Sequence, residues 1–335
     1  MSKNREQPWR DLFHSYHDFK KAAPIGFAIE GFLQNDATTL IGGLSGHGKT
    51  WIMLEMAKLL LSRKSDRLWN QFEVPEYVKR VIYLIPESGI RAFKHRLKLF
   101  HLFHYLKEDR LLVHTLSKGP IPKLNDPRLL AAAKGARIFL DTAVRFGEGD
   151  ESKARDNQEG LATALFDLER AGARSIVGAH HAPKSFAREN VMTLENILRG
   201  SGDIGAMVAT VWGIKQLDPK RNIIHIENVK ARDFDPCGPF QIIGRPYINE
   251  EGHFHMHKKP GECGALANEQ NQGGAPPETR EEKARNLAKM GQWLQKDPKL
   301  TNQEVEHKFK SAGIKLADST IRKYRMILRN QKEGK

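Results

Sequence analysis

The sequence predicts an α/β fold, a mostly parallel sheet flanked by helices, followed by a small all-α unit. Three observations carry this. Apolar, β-branched runs at 37–41, 81–85, 137–141 and 174–179 alternate with stretches of helical period, as expected of strands covered on both faces. The first run leads into Gly-Leu-Ser-Gly-His-Gly-Lys-Thr at 43–50, which fits G-x-x-x-x-G-K-[ST]. Residues 258–279 then turn to Gly, Pro, Asn and Gln, a linker composition, before helical periodicity resumes. The expected organisation is an arm at 1–22, a core at 23–257, a linker at 258–279 and a helical unit at 280–331.

Bulk properties narrow the class. A chain of 335 residues, 39% hydrophobic and 28% charged, suits one large globular domain with a small companion. No apolar run reaches the length of a membrane span, and residues 1–21 lack a signal-peptide core. Cys237 and Cys263 form no spaced metal pattern and suggest no disulfide framework. The expectation is a cytoplasmic protein with no membrane partner. The formal charge is +14; residues 275–335 hold 15 Lys+Arg against 8 Asp+Glu, so that segment supplies half of it. A basic tail suggests nucleic acid, although charge can serve solubility alone.

The glycine loop carries the clearest chemistry. Strand, glycine loop and helix in succession place a phosphate on a helix N-terminus, where free N–H groups and the dipole favour an anion. Gly43, Leu44, Ser45, Gly46, His47, Gly48, Lys49, Thr50 and Trp51 are therefore the expected nucleotide-binding residues. Gly43, Gly46 and Gly48 let the backbone approach the phosphate without a Cβ. Lys49 reaches the β/γ oxygens and the Thr50 hydroxyl holds Mg²⁺. The helix at 51–63 follows, and 27–33 is expected to pack beside the nucleotide.

Further candidates lie at the ends of later strands, where open α/β sheets place ligands. Glu87, just beyond 81–85, reads either as the carboxylate that orients an attacking water or as an N-terminal carboxylate for a helix at 90–106. Asp141, ending 137–141, can hold Mg²⁺. Residues 147–157 read as a mobile loop and 161–171 as a helix. His180 and His181 end the strand at 174–179, and either can sense a γ-phosphate. The loop at 185–198 carries Arg188 and is long enough to be functional. Residues 204–214 read as helix and strand, and 222–229 with 240–243 as a closing hairpin. Lys230 and Arg232, two apart, point the same way from an extended segment.

Beyond the linker, helices are predicted at 280–295, 302–312 and 319–330. Thr301 and Glu304 form a capping box, Gly313 closes the second helix, and Asp318 or Ser319 caps the third. Ile321, Tyr324, Ile327 and Leu328 share one face of the third, with Arg322, Lys323, Arg325 and Arg329 elsewhere. Such a unit is similar to a helix-turn-helix or winged-helix module. A helical docking or oligomerisation unit is the alternative.

With these residues laid out, the core at about 20–250 resembles the RecA-like ATPases, specifically the RepA-type plasmid helicases and their AAA-family relatives. The resemblance rests on the ordered set GLSGHGKT, VIYLIPES, IFLDTAVRF, HHAPK, RGSGD and VKARD. It implies ATP and Mg²⁺, Glu87 as the catalytic glutamate, Asp141 as the Walker B acid, and His180 or His181 as the γ-phosphate sensor. It further implies Arg199, Lys230 and Arg232 acting on a neighbouring subunit's nucleotide, with a ring-type homo-oligomer and core loops facing single-stranded DNA. The C-terminal unit lies outside the minimal RepA pattern, and no primase-like domain is recognised. Three readings follow: a DNA helicase or single-stranded DNA motor, an ATP-switched DNA-binding replication or regulatory protein that does not unwind, and a signalling ATPase whose tail docks a protein.

Overall fold

Segments without polar side chains gain most by leaving water, and the longest of them form the frame of the larger unit. The computed structural model describes residues 8–63, 66–75, 77–147, 154–189, 191–198, 202–245, 255–259, 280–298, 300–314 and 318–332. The chain divides into two compact units, Met1–Cys263 and Gly264–Lys335.

In the larger unit, α1 (Tyr16–Lys21) starts on a Ser15/Asp18 capping box and buries no side chain. The hairpin β1 (Phe27–Ile29) and β2 (Leu33–Gln34) leads to β3 (Thr38–Gly43) and α2 (Lys49–Leu61). A second hairpin, β4 (Arg67–Leu68) and β5 (Phe72–Glu73), precedes β6 (Val81–Ile85). Then come α3 (Ile90–Leu99), α4 (Phe103–Lys107), β7 (Leu111–Thr115), α5 (Pro127–Ala133) and β8 (Arg137–Leu140). The chain continues through α6 (Ala154–Arg170), β9 (Ser175–His181), α7 (Leu194–Ile197) and α8 (Gly202–Met207). It closes with β10 (Thr210–Asp218), β11 (Ile223–Ala231), β12 (Phe240–Arg245) and β13 (His255–Lys258).

Nine strands make one sheet in the order β13-β12-β11-β10-β3-β9-β8-β6-β7. From β10 to β7 every neighbour is parallel, while β10 to β13 pair antiparallel. The parallel half brings the C-terminal ends of β3, β9, β8 and β6 to one edge. Register holds them level: Gly43 faces His181, Leu140 faces Gly178, and Leu84 faces Leu140. Helix α2 is buried on nearly all sides, as a helix apolar all round must be.

Several expectations are corrected. Residues 27–33 do not line the nucleotide cleft. Phe32 is buried instead, stacked on Trp212 at 4.3 Å and packed against Trp69 and Phe72, because so large an apolar ring gains more in the core than at a polar cleft. The predicted helix at 90–106 is two helices, broken where His101 adopts a φ of 56°. Residues 154–157, expected in a loop, are the first turn of α6; 148–153 lie outside the described residues. The loop at 185–198 contains a 3₁₀ turn (Lys184–Arg188) and α7. The expected hairpin is part of a four-stranded antiparallel run, and β13 extends the sheet to Lys258. Residues 260–279 of the expected linker lie outside the described residues. Among the described residues no helix is long and apolar enough to cross a membrane.

The smaller unit contains α9 (Arg280–Lys296), α10 (Asn302–Ser311) and α11 (Asp318–Lys332). Thr301 and Glu304 form the predicted capping box. Gly313, at φ +75°, ends α10, with the Ile314 N–H donating to the Phe309 carbonyl at 2.9 Å. Asp318 and Ser319 are already helical, so neither stands outside α11 as its cap. Met290, Val305, Phe309, Ile321 and Tyr324 form the core, with Leu287, Trp293, Leu294 and Leu328 against it. So small a core tolerates little loss. We expect Phe309→Ala to destabilise this unit by about 3–5 kcal/mol. In a thermal melt followed by circular dichroism, the helical transition of the smaller unit should fall while that of the larger unit holds.

Candidate functional site

The edge where β3, β9, β8 and β6 end carries a cleft of about 320 Å³, lined among others by Ser45, Gly48, Lys49, Thr50, Glu87, Asp141 and His181. That volume lies in the range of small-molecule sites. A second cavity of about 190 Å³ involves Gln34, Thr38, Glu169 and Arg232 and contains no residue of the glycine loop.

The loop between β3 and α2 is built for an anion. Gly48 is the N-cap of α2 at φ 94°, a conformation that costs a residue with a Cβ about 1–2 kcal/mol. No side chain caps the helix and no acid stands in its first turn, so its N–H groups and dipole are left to a ligand. Gly43 serves a different purpose from the one expected: a Cβ there would come within 2.7 Å of the Ile214 carbonyl on β10. His47 also turns to β10, its Nδ1 accepting from the Gln216 N–H at 3.2 Å. Trp51 lines the cleft and leans on Phe100 at 5.7 Å.

Lys49 is 6% exposed. Its Nζ donates to the carbonyls of Gly43 and Leu44 at 2.7 and 2.8 Å. Burial lowers its pKa to about 8, against the opposing pull of Asp141 and Glu87.

Asp141 is buried beside Lys49, and the Tyr83 hydroxyl donates to its Oδ2 at 3.1 Å. Burial raises its pKa, while hydrogen bonds from Thr50 and Tyr83 and the charges of Lys49 and Arg96 oppose the rise. Tyr83 is itself pushed well above the usual phenol range by burial and by Asp141, so it remains a neutral donor. Thr50 and Asp141 thus meet as two hard oxygen donors, a set that fits Mg²⁺ completed by phosphate and water. Among the described residues no group of three or more His, Cys, Asp and Glu could hold a metal by itself.

Glu87 stands at the mouth, where Oε1 accepts from Arg145 Nε at 2.6 Å and from the Thr142 hydroxyl at 3.4 Å. The two histidines separate. His180 is 2% exposed, its Nδ1 lies 3.1 Å from the His181 carbonyl, and burial lowers its pKa to about 4. His181 lines the cleft, with Nδ1 3.2 Å from the Ser45 hydroxyl. Strand alternation sends neighbouring side chains to opposite faces, which is why only one of the pair lines the cleft.

The other expected residues lie elsewhere. Lys230 Nζ donates to the Gly205 and Ala206 carbonyls at 2.7 and 2.6 Å, and Arg232 to Ala206 at 2.8 Å. Both therefore point the same way, onto the last turn of α8, where cations complement the dipole. Arg199 lies outside the described residues. Arg188 is exposed at the end of its 3₁₀ turn, and Arg322 is exposed on α11. Lys323 and Arg329 are on α11, but their side chains lie outside the described residues. Arg325 corrects the expectation of a basic surface: its Nε donates to Asn302 Oδ1 at 2.7 Å and its Nη2 to the Leu300 carbonyl, tying α11 to the start of α10. Sequence reading missed Tyr83, Arg96, Thr142 and Arg145 around the cleft. Only Arg145 carried a signal, its place four residues after Asp141.

Residues 17–187, more than half of the chain, match the family model described as an AAA domain. A solved structure of a KaiC-like protein from the hyperthermophilic archaeon Pyrococcus horikoshii OT3 is similar at 15% identity, covering 70% of this chain and 94% of that one, with a TM-score of 0.48. No curated protein matches the sequence.

The depressed pKa of Lys49 gives the cleft a pH dependence. A bound polyanion favours the ammonium and raises that pKa, so binding takes up a proton once the free lysine has lost one. Affinity for a fluorescent ATP analogue should be flat below about pH 8. Above it, the dissociation constant should rise by up to about tenfold per pH unit. A constant affinity from pH 7 to pH 9 would show that Lys49 carries no such linkage.

Proposed function

The chain belongs to the AAA domain family, and on that premise we propose that it hydrolyses ATP at the Lys49 cleft as an oligomeric motor on DNA. The observation that carries the chemistry is the meeting of Lys49, Thr50, Asp141 and Glu87 beside an uncapped helix N-terminus. The loop amides and Lys49 bind and orient the β- and γ-phosphates, exchanging the Gly43 and Leu44 carbonyls for phosphate oxygens. Thr50 and Asp141 would hold Mg²⁺, which neutralises charge on the terminal phosphates. Glu87, once free of Arg145, aligns the attacking water. His181 reaches the same cleft and contacts the terminal phosphate.

Assembly and DNA belong to the same proposal. Arg199, Lys230 and Arg232 act across a subunit boundary in a ring-type homo-oligomer, and an arginine supplied in this way is worth roughly 10³–10⁵ in rate. Arg188 and the basic face of α11 contact nucleic acid. The charge of 275–335, half of the chain's +14, supports this reading. It equally supports a DNA-binding replication or regulatory protein in which ATP switches assembly without unwinding.

Lys49→Ala should lose triphosphate binding and turnover together. Glu87→Gln should keep Mg·ATP but release phosphate at least about 10²-fold more slowly. Phosphate release alongside equilibrium binding separates the two, and a Glu87→Gln chain with unaltered turnover would remove the glutamate from the mechanism.

Removing residues 280–335 should leave basal hydrolysis in place and abolish salt-sensitive duplex binding. ATP-driven strand displacement by the intact chain separates the motor from the regulator. Unchanged duplex affinity after truncation would end the role given to the C-terminal helices.

A further inference from the structure

Outside the C-terminal segment, the positive charge gathers in one place. Residues 89–123 hold 8 Lys+Arg against 2 Asp+Glu, a surplus of 6. The segment 275–335 contributes 7, so the two together hold nearly all of the formal +14. No acid stands between Glu87 and Glu108, a stretch that is mostly α3 and α4. In α3, Phe93 and Leu97 are buried, while Arg91, Lys94, His95 and Lys98 are exposed. Spacings of three, four and seven set these four on one face. That face is turned away from Phe93 and Leu97, and Arg96 stands off it, on the wall of the cleft.

Folding does not account for the row. Arg91 lies in the first turn of α3, where no acid is present and the helix dipole disfavours a cation. Like charges three and four residues apart repel along a helix surface. Among the described residues, none hydrogen-bonds or ion-pairs with the side chains of Arg91, Lys94 or Lys98. A polyanion laid along the helix would remove each of these costs. The dimensions favour a nucleic-acid strand. From Arg91 to Lys98 the helix rises about 10 Å. A stacked strand advances about 3.4 Å per phosphate, so about three phosphates pass the three cations. Helix α4 then exposes Phe103, His104 and Lys107. Rings beside a row of cations are how sequence-tolerant sites hold unpaired bases.

We propose that the outer face of α3 binds the backbone of single-stranded nucleic acid, with Arg91, Lys94 and Lys98 on successive phosphates and Phe103 and His104 beside the bases. The surface is additional to Arg188, α11 and the core loops. It holds a strand by charge and stacking, without reading its sequence, and it belongs to the ATPase unit itself rather than to the C-terminal helices.

The test is fluorescence anisotropy of labelled oligothymidylate against the full chain over a range of salt, with labelled polyglutamate as the second probe. A triple variant, Arg91→Gln with Lys94→Gln and Lys98→Gln, should weaken oligothymidylate binding at low salt by at least about tenfold. Each lost phosphate contact removes about 0.7 from the log–log salt slope of a single strand, so the slope should flatten by about two. Tm and basal phosphate release should be unchanged, because the three side chains are exposed. A charge-keeping variant, Arg91→Lys with Lys94→Arg and Lys98→Arg, should retain both affinity and slope. If the intact chain binds and the glutamine variant keeps the same affinity and slope, this face is excluded while the DNA reading stands on its other residues. Equal losses in the glutamine and charge-keeping variants would make the effect structural and overturn the assignment. Polyglutamate bound as tightly as oligothymidylate, and lost with it in the glutamine variant, would make this a surface for an acidic polypeptide instead. If the intact chain binds no oligonucleotide at any salt, the DNA reading and this proposal fall together.

Discussion

An ammonium ion kept where water scarcely reaches is the constraint on which the core depends. Lys49 is nearly buried in the first turn of α2, and an unpaired charge there would be costly. Two carbonyls and two acids make it tolerable, and they come from three different parts of the chain. The carbonyls belong to the end of β3 and the loop; the acids follow β8 and β6. Only a parallel arrangement delivers three strand ends to one edge, since antiparallel neighbours would send alternate ends to the far side. The sheet order and the site are thus one fact.

The acids are held unequally, and the difference matters for mechanism. Asp141 is buried, with Tyr83 and Thr50 donating to it, a setting in which leaving one partner unsatisfied costs about 1–3 kcal/mol. Glu87 is paired with Arg145, but the two side chains are 37% and 48% exposed. Solvent-exposed pairs are worth about 0–1 kcal/mol. The cleft therefore combines a buried carboxylate held by two hydroxyl donors with a mouth carboxylate that changes partner at little cost. Arg145 lies in the 3₁₀ turn (Ala143–Phe146) that closely follows Asp141, so whatever moves that turn also acts on Glu87.

The smaller unit obeys a different economy. Its few buried side chains are supplemented by a capping box, a left-handed glycine and the bonds of Arg325 to the start of α10. One of the arginines that looks like nucleic-acid surface in the sequence is thereby used to hold two helices together. The positive charge of the segment is real; part of it is structural.

Local patterns suffice for much of the protein. The β3–loop–α2 unit, the strands ending before Glu87 and Asp141, and the α10 capping box depend on neighbours within a few residues, and spacing or residue type alone marks them. What the chain could not declare was decided by partners distant in sequence. Gly43 is required by Ile214, Phe32 is drawn into the core by Trp212, Glu87 is engaged by Arg145, and Arg96 reaches the cleft because α3 packs through Phe93 and Leu97. The two histidines are indistinguishable as letters; the sheet buries one and aims the other at Ser45. Periodicity records which face of an element is apolar, but the groups that meet across a cleft are set by strand order and register.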